Sequence, residues 1–129
     1  MASEKTDALA VYKGSCHCGR VGFELTGKPR WLTECNCSIC SRIAARWAHS
    51  EIDNVRLHYA EGATLAYVWG DKTLALHSCK HCGCTTHWQS LEPEKYSRMA
   101  VNFRMCTDLD LSEFRIRHFD GADSWEFLD

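Results

Sequence analysis

Eight cysteines gathered into three short clusters restrict what this 129-residue chain can fold into more than any other feature. The clusters are Cys16-His17-Cys18, Cys35-Asn36-Cys37-Ser38-Ile39-Cys40 and Cys79-Lys80-His81-Cys82-Gly83-Cys84, while a ninth cysteine, Cys106, stands alone. Disulfides account for them badly. The count is odd, the start MASEKTDALAVYKG has no apolar stretch of the kind a secretory signal needs, and a reducing compartment keeps thiols free. The expectation is a cytoplasmic chain whose thiolates hold metal.

Spacing divides the thiols into two sets. In an extended segment, residues two apart point to the same side with alpha carbons about 6.6 Å apart, so Cys16 and Cys18 can aim both sulfurs at one ion. A C-x-x-C followed by glycine, Cys79 to Gly83, suits a tight metal-binding turn, with glycine relieving the strain of a positive φ. Joined, Cys16, Cys18, Cys79 and Cys82 make a closed tetrahedral zinc site of structural type. Cys35, Cys37 and Cys40 combine both spacings and stop at three, the ligand number of a catalytic zinc, whose fourth position accepts a substrate. Cys84, two residues beyond Cys82, is the alternative fourth ligand that would close this second site.

Two other zinc readings fail on composition. A classical finger needs two histidines three to five residues apart after its cysteines, and His87 alone follows Cys82 at a suitable distance. His49-Ser50-Glu51 followed by Cys79-x-x-Cys82 is similar to a zinc deaminase signature. However, Ser78 occupies the place of its proline, and Gly83 with Thr85-Thr86 discourages the helix that should follow. His17 and His81 lie between ligands and are expected to point away from metal, while His58 and His118 fit strand surfaces. Arg42, Arg46 and Arg104 would suit an anionic substrate, against the ordinary role of solvated surface groups.

The remaining pattern is one of short strands. Val21, Phe23 and Leu25 alternate, as do Val55, Leu57 and Tyr59; Leu65, Tyr67 and Trp69; Leu74 and Leu76; Met99, Val101 and Phe103; and Phe114, Ile116 and His118. Each run predicts a strand with one buried face, and the short connections favour antiparallel pairing. Helical turns are expected only around Ser38 to Ala45 and Asp108 to Glu113. The organisation predicted is a flexible start over residues 1–11 and one mainly-β domain over residues 12–129. No run is long enough to span a membrane, and a net charge of −2 lacks the basic excess that nucleic-acid binding requires.

The ordered motifs GSCHCG, CNCSIC and SCKHCG, followed by CGCTTHW, VNFR and FDGADSW, resemble the glutathione-dependent formaldehyde-activating enzyme family, from about Tyr12 to Trp125. The resemblance implies a mainly-β, Mss4-like fold of short antiparallel coiled sheets with zinc sites and little helix. It assigns Cys16, Cys18, Cys79 and Cys82 to a structural zinc and Cys35, Cys37 and Cys40 to a catalytic one, two zinc ions per chain. The implied activity is carbon-sulfur lyase chemistry: a thiol, glutathione, adds to a small aldehyde, formaldehyde, to give S-hydroxymethylglutathione. The alternative is a non-enzymatic, zinc-stapled protein-binding module of the same fold. The glycine that the family often carries shortly after the third cysteine of CNCSIC is Ala44 here.

Overall fold

The alternating apolar runs form strands that return on themselves through turns too short for crossover helices. The computed structural model describes residues 10–129. The expected flexible start therefore lies, for residues 1–9, outside the described residues, and Val11 already opens a strand. Strands β1 (Val11–Ser15), β2 (Gly22–Thr26) and β5 (Val55–His58) make a small antiparallel sheet in the order β1-β2-β5. A larger sheet contains β3 (Leu32–Cys35), β4 (Trp47–Glu51), β6 (Thr64–Tyr67), β7 (Leu74–Cys79), β8 (Thr85–Ser90), β9 (Arg98–Asn102) and β10 (Ile116–Phe119). Its order is β10-β3-β4-β9-β8-β7-β6. A single α-helix is described, α1 (Ser38–Ile43), and 3-10 turns cover Ile52–Asn54, Phe103–Met105 and Leu111–Glu113.

Packing follows the period of two. On one face of the large sheet Leu32, Ala48, Met99 and Val101 meet Phe23 and Leu25 of β2, with Phe103, Cys106 and Phe114 closing the layer. On the opposite face Trp47, Ala100 and Leu76 meet Ile39, Cys40 and Ile43 of α1. Neighbours in sequence thus serve different layers: Trp47 and Ala48 on β4, Ala100 and Val101 on β9. Burial on both faces explains why β9 is apolar throughout its centre.

Two details depart from the strand reading. The pairing of β10 with β3 is parallel, with Phe119 opposite Cys35, where antiparallel neighbours were expected. The long excursion between Cys35 and Ile116 lets the chain re-enter beside β3 from the same end. The run Leu65 to Trp69 also lacks its buried face: Leu65 is 60% exposed and Tyr67 51% exposed. As the edge strand, β6 pairs only with β7 and lies at the far end of the sheet from β10.

Candidate metal centre

Four sulfurs converge where the β1–β2 turn meets the end of β7. Cys16 and Cys18 lie 3.7 Å apart and Cys18 and Cys79 3.6 Å apart, sulfur to sulfur. With Cys82, all four lie within 4.8 Å of one another. A tetrahedron of zinc–sulfur bonds about 2.3 Å long has edges of about 3.8 Å, so the spacing fits zinc and is far too wide for a disulfide.

Backbone amides complete the arrangement. Val21 N–H donates to Cys16 Sγ at 3.3 Å and His81 N–H donates to Cys79 Sγ at 3.4 Å. Amides of Cys84 and Cys18 aimed at Cys82 push its thiol down to about 5, whereas burial raises Cys16 to about 11. Hydrogen bonds from Arg20, through its backbone and then its side chain, lower Cys18. Gly83 supplies the turn, at φ 81, and its N–H closes back on Cys79 O at 2.9 Å.

The second group sits at the end of β3 and the start of α1. Cys35, Cys37 and Cys40 bring their sulfurs within 4.8 Å of one another, each half-buried. Cys37 is the N-cap of α1, its sulfur accepting from Cys40 N–H at 3.4 Å. Cys37 N–H donates to Cys35 Sγ at 3.5 Å, and the indole Nε1–H of Trp47 donates to Cys40 Sγ at 3.4 Å. The Cys40 side chain above all, helped by amides of Cys37 and Gly121, pulls the Cys35 thiol down to about 5, while Cys40 is pushed strongly upward by Cys35 and by burial. Three sulfurs ringed by N–H donors are a donor set that suits zinc, and they leave one tetrahedral direction to a ligand from outside the trio.

Cys84 does not join them. It packs beside Cys16, Val21 and Cys79 and is absent from the three-thiol group. Cys106 lies in the main core, where burial raises its thiol to about 12. None of the seven histidines joins either sulfur group among the described residues. His58 pairs with Glu24, His118 pairs with Asp129 at 2.7 Å, and His49 packs edge-on against Trp88. The three arginines surround α1: Arg42 donates to Ser38 O at 2.6 Å, Arg104 to Ala44 O, and Arg46 faces Glu34 at 3.5 Å. A cleft of about 260 Å³ runs along the same helix, lined by Ile39, Ile43, Tyr67, Leu76, Ser78 and Thr85.

The Ala44 departure has a structural reading. Ala44 caps α1 in the left-handed region, at φ 52 and ψ 39, where a β-carbon is strained and glycine is not. Ala44→Gly should therefore leave stability unchanged or raise it by up to ~1 kcal/mol, the relief of strain outweighing the extra freedom of the unfolded chain. Thermal melting checks the sign, and a clear loss would refute it.

Sequence reasoning passed over three residues at this site. Trp47 gives no signal in sequence, since its indole reaches Cys40 only through the fold. Asn36 was visible between two ligands and Gly121 inside FDGADSW, but neither reveals a contact without the β3–β10 pairing.

A mainly-β fold that presents one group of four thiols and another of three, each group close enough to hold a metal ion, defines a class of cysteine-rich proteins. The chain belongs to the glutathione-dependent formaldehyde-activating enzyme family, which matches residues 11–115. It is also similar to a Rhodobacter sphaeroides protein of known crystal structure, at 27% identity and a TM-score of 0.66, covering 78% of this chain and 93% of that one. Comparison with curated proteins returns no match. No described helix is long and apolar enough to cross a membrane.

Proposed function

We propose that this chain is a zinc-dependent carbon-sulfur lyase of the S-(hydroxymethyl)glutathione synthase type, adding a thiol to a small aldehyde beside Cys35, Cys37 and Cys40. The observation that carries the reading is the three-sulfur group itself, gathered within 4.8 Å and separate from Cys84. A zinc ion bound there would lower the pKa of an incoming thiol and polarise an aldehyde carbonyl.

The chain's own residues supply the rest. Cys35, Cys37 and Cys40 would hold the ion, and the N–H groups of Cys37, Cys40, Gly121 and Trp47 offset the charge on their sulfurs. Arg42 and Arg104, both exposed beside α1, give the approach a positive face for the carboxylates of a peptide thiol such as glutathione. In the reaction the thiol loses its proton, its sulfur attacks the aldehyde carbon, the carbonyl π pair moves to oxygen, and a proton returns to that oxygen. Cys16, Cys18, Cys79 and Cys82 would hold a second zinc, which would staple the fold. The binding-module alternative drew its support from a trio closed by Cys84, and Cys84 packs elsewhere.

The test is kinetic, because the uncatalysed addition reaches equilibrium unaided. Zinc-loaded protein should accelerate exchange between formaldehyde and S-hydroxymethylglutathione, followed by NMR exchange spectroscopy. A rate equal to buffer would reject this pair of substrates.

A further inference from the structure

The family match ends at residue 115, yet the chain beyond it returns to the three-thiol group. The parallel pairing of β10 with β3 sets Phe119 opposite Cys35, so the next residues must pass over the trio. There they form a tight turn tied internally by Asp120. Its Oδ2 accepts from Ser124 N–H at 3.1 Å and Ser124 Oγ–H at 2.8 Å, and Trp125 N–H donates to Asp120 O at 2.7 Å.

The turn is also tied to the trio. Asn36, flanked by Cys35 and Cys37, commits both ends of its side-chain amide to it: Nδ2–H donates to Asp120 Oδ1 at 3.0 Å, and Oδ1 accepts from Ala122 N–H at 2.9 Å. Asn36 N–H donates to Phe119 O at 3.1 Å. At the apex Gly121 N–H is directed at Cys35 Sγ. No side chain fits there: a β-carbon on Gly121 would stand 2.5 Å from Cys35 Sγ and 3.3 Å from Cys37 Cβ. The Trp125 ring reaches the same spot from outside, within 3.6 Å of that β-carbon position, although the residue is 71% exposed and held at φ 60. The indole also packs edge-on against Phe119, ring centres 5.1 Å apart, which seats it over the turn.

We infer that the turn from Asp120 to Trp125 is a clamp on the three-thiol group, with Gly121 and Asn36 as positioning residues that fix Cys35 and set how firmly the trio holds its metal. Without the clamp, the Cys35 sulfur loses an amide donor and the wall that limits its movement. The trio would still bind metal, but with Cys35 free to swing. The inference rests on the reading that Cys35, Cys37 and Cys40 hold a metal ion.

Cobalt(II) alone is the probe, because its thiolate charge-transfer and d–d bands report the ligands directly. Wild-type protein should take up two cobalt ions per chain, the trio's being the first extracted by a competing chelator. Gly121→Ala should weaken that ion at least tenfold and shift its charge-transfer band, leaving the spectrum of the four-thiol ion unchanged. Asn36→Ala, which removes the anchors without touching a thiol, should give the same band shift and at least threefold faster extraction. Two cobalt ions held with wild-type affinity and spectrum in both variants would overturn the clamp while leaving the lyase reading intact. If Gly121→Ala fails to fold, the Asn36→Ala result decides alone. A wild-type chain that takes up only one cobalt ion would overturn the lyase reading and the clamp with it.

Discussion

Cys82→Ser is expected to unfold the domain at temperatures where the wild-type chain is fully folded. Cys82 is one of four sulfurs that join the β1–β2 turn to the end of β7, and the hydrophobic cluster there is small: Cys16, Val21 and Cys79, with Tyr59, Ala63 and Cys84 at its margin. Otherwise the two segments are linked indirectly, through the packing of β2 on the large sheet. A structural zinc contributes on the order of 10 kcal/mol to folding, comparable with the whole stability of about 5–15 kcal/mol typical of a domain. Serine replaces a soft, readily ionised ligand with a hydroxyl that stays protonated, and so removes most of that contribution. Circular dichroism melting beside metal analysis should find no cooperative transition near the wild-type one and the corresponding ion lost. Melting within a few degrees of wild type would show that the four-thiol group is not what staples the fold.

Cys37→Ser should have the opposite profile. Serine is a good N-cap, so the substitution keeps the acceptor for Cys40 N–H at the start of α1 while removing a thiolate from the trio. The melting temperature should stay within a few degrees of wild type. Bound metal should fall from two ions per chain to one, and the exchange rate between formaldehyde and S-hydroxymethylglutathione should return to that of buffer. The effect on rate is complete because two sulfurs cannot hold the ion in the geometry that leaves one direction to substrate. A variant that unfolds as readily as Cys82→Ser would make the trio structural, and one that keeps full catalysis would remove it from the chemistry.

The contrast between the two variants follows from features that differ in how openly the sequence displays them. The cysteine spacings are local and carry their geometry with them, which is why Cys35, Cys37 and Cys40 could be grouped before any fold was known. The strands around Phe23, Leu57 and Val101 were legible for the same reason, since alternation over five residues has one meaning when a face is buried. Strand β4 was not legible, because Trp47 and Ala48 are buried on opposite faces and the alternation is lost. Strand β8 was hidden similarly: Thr86 and His87 are neighbours and both fully buried. His87 is a polar residue in that position because its Nδ1 meets Thr86 Oγ1 at 2.8 Å and its ring stacks on His77 at 4.6 Å, while burial lowers it to about 3 and keeps it neutral. The parallel register of β10 was beyond sequence reasoning altogether. It depends on where a distant segment re-enters, and the contacts of Asn36 and Gly121 depend on it in turn.

The two thiol groups also differ in the length of chain they close, and that difference predicts an order of events during folding. Cys35, Cys37 and Cys40 fall within six consecutive residues, whereas Cys18 and Cys79 are 61 positions apart. Closing the longer loop costs more chain entropy and must wait for β7 to form beside its neighbours, while the short one needs no sheet at all. A newly made chain can therefore capture metal at the trio before it is folded, and metal bound by the unfolded chain adds little to net stability. The four-thiol group closes late, and an ion held there would stabilise the folded state alone. Refolding followed by stopped flow should accordingly have a slow phase that depends on metal in the wild-type chain and persists in Cys37→Ser.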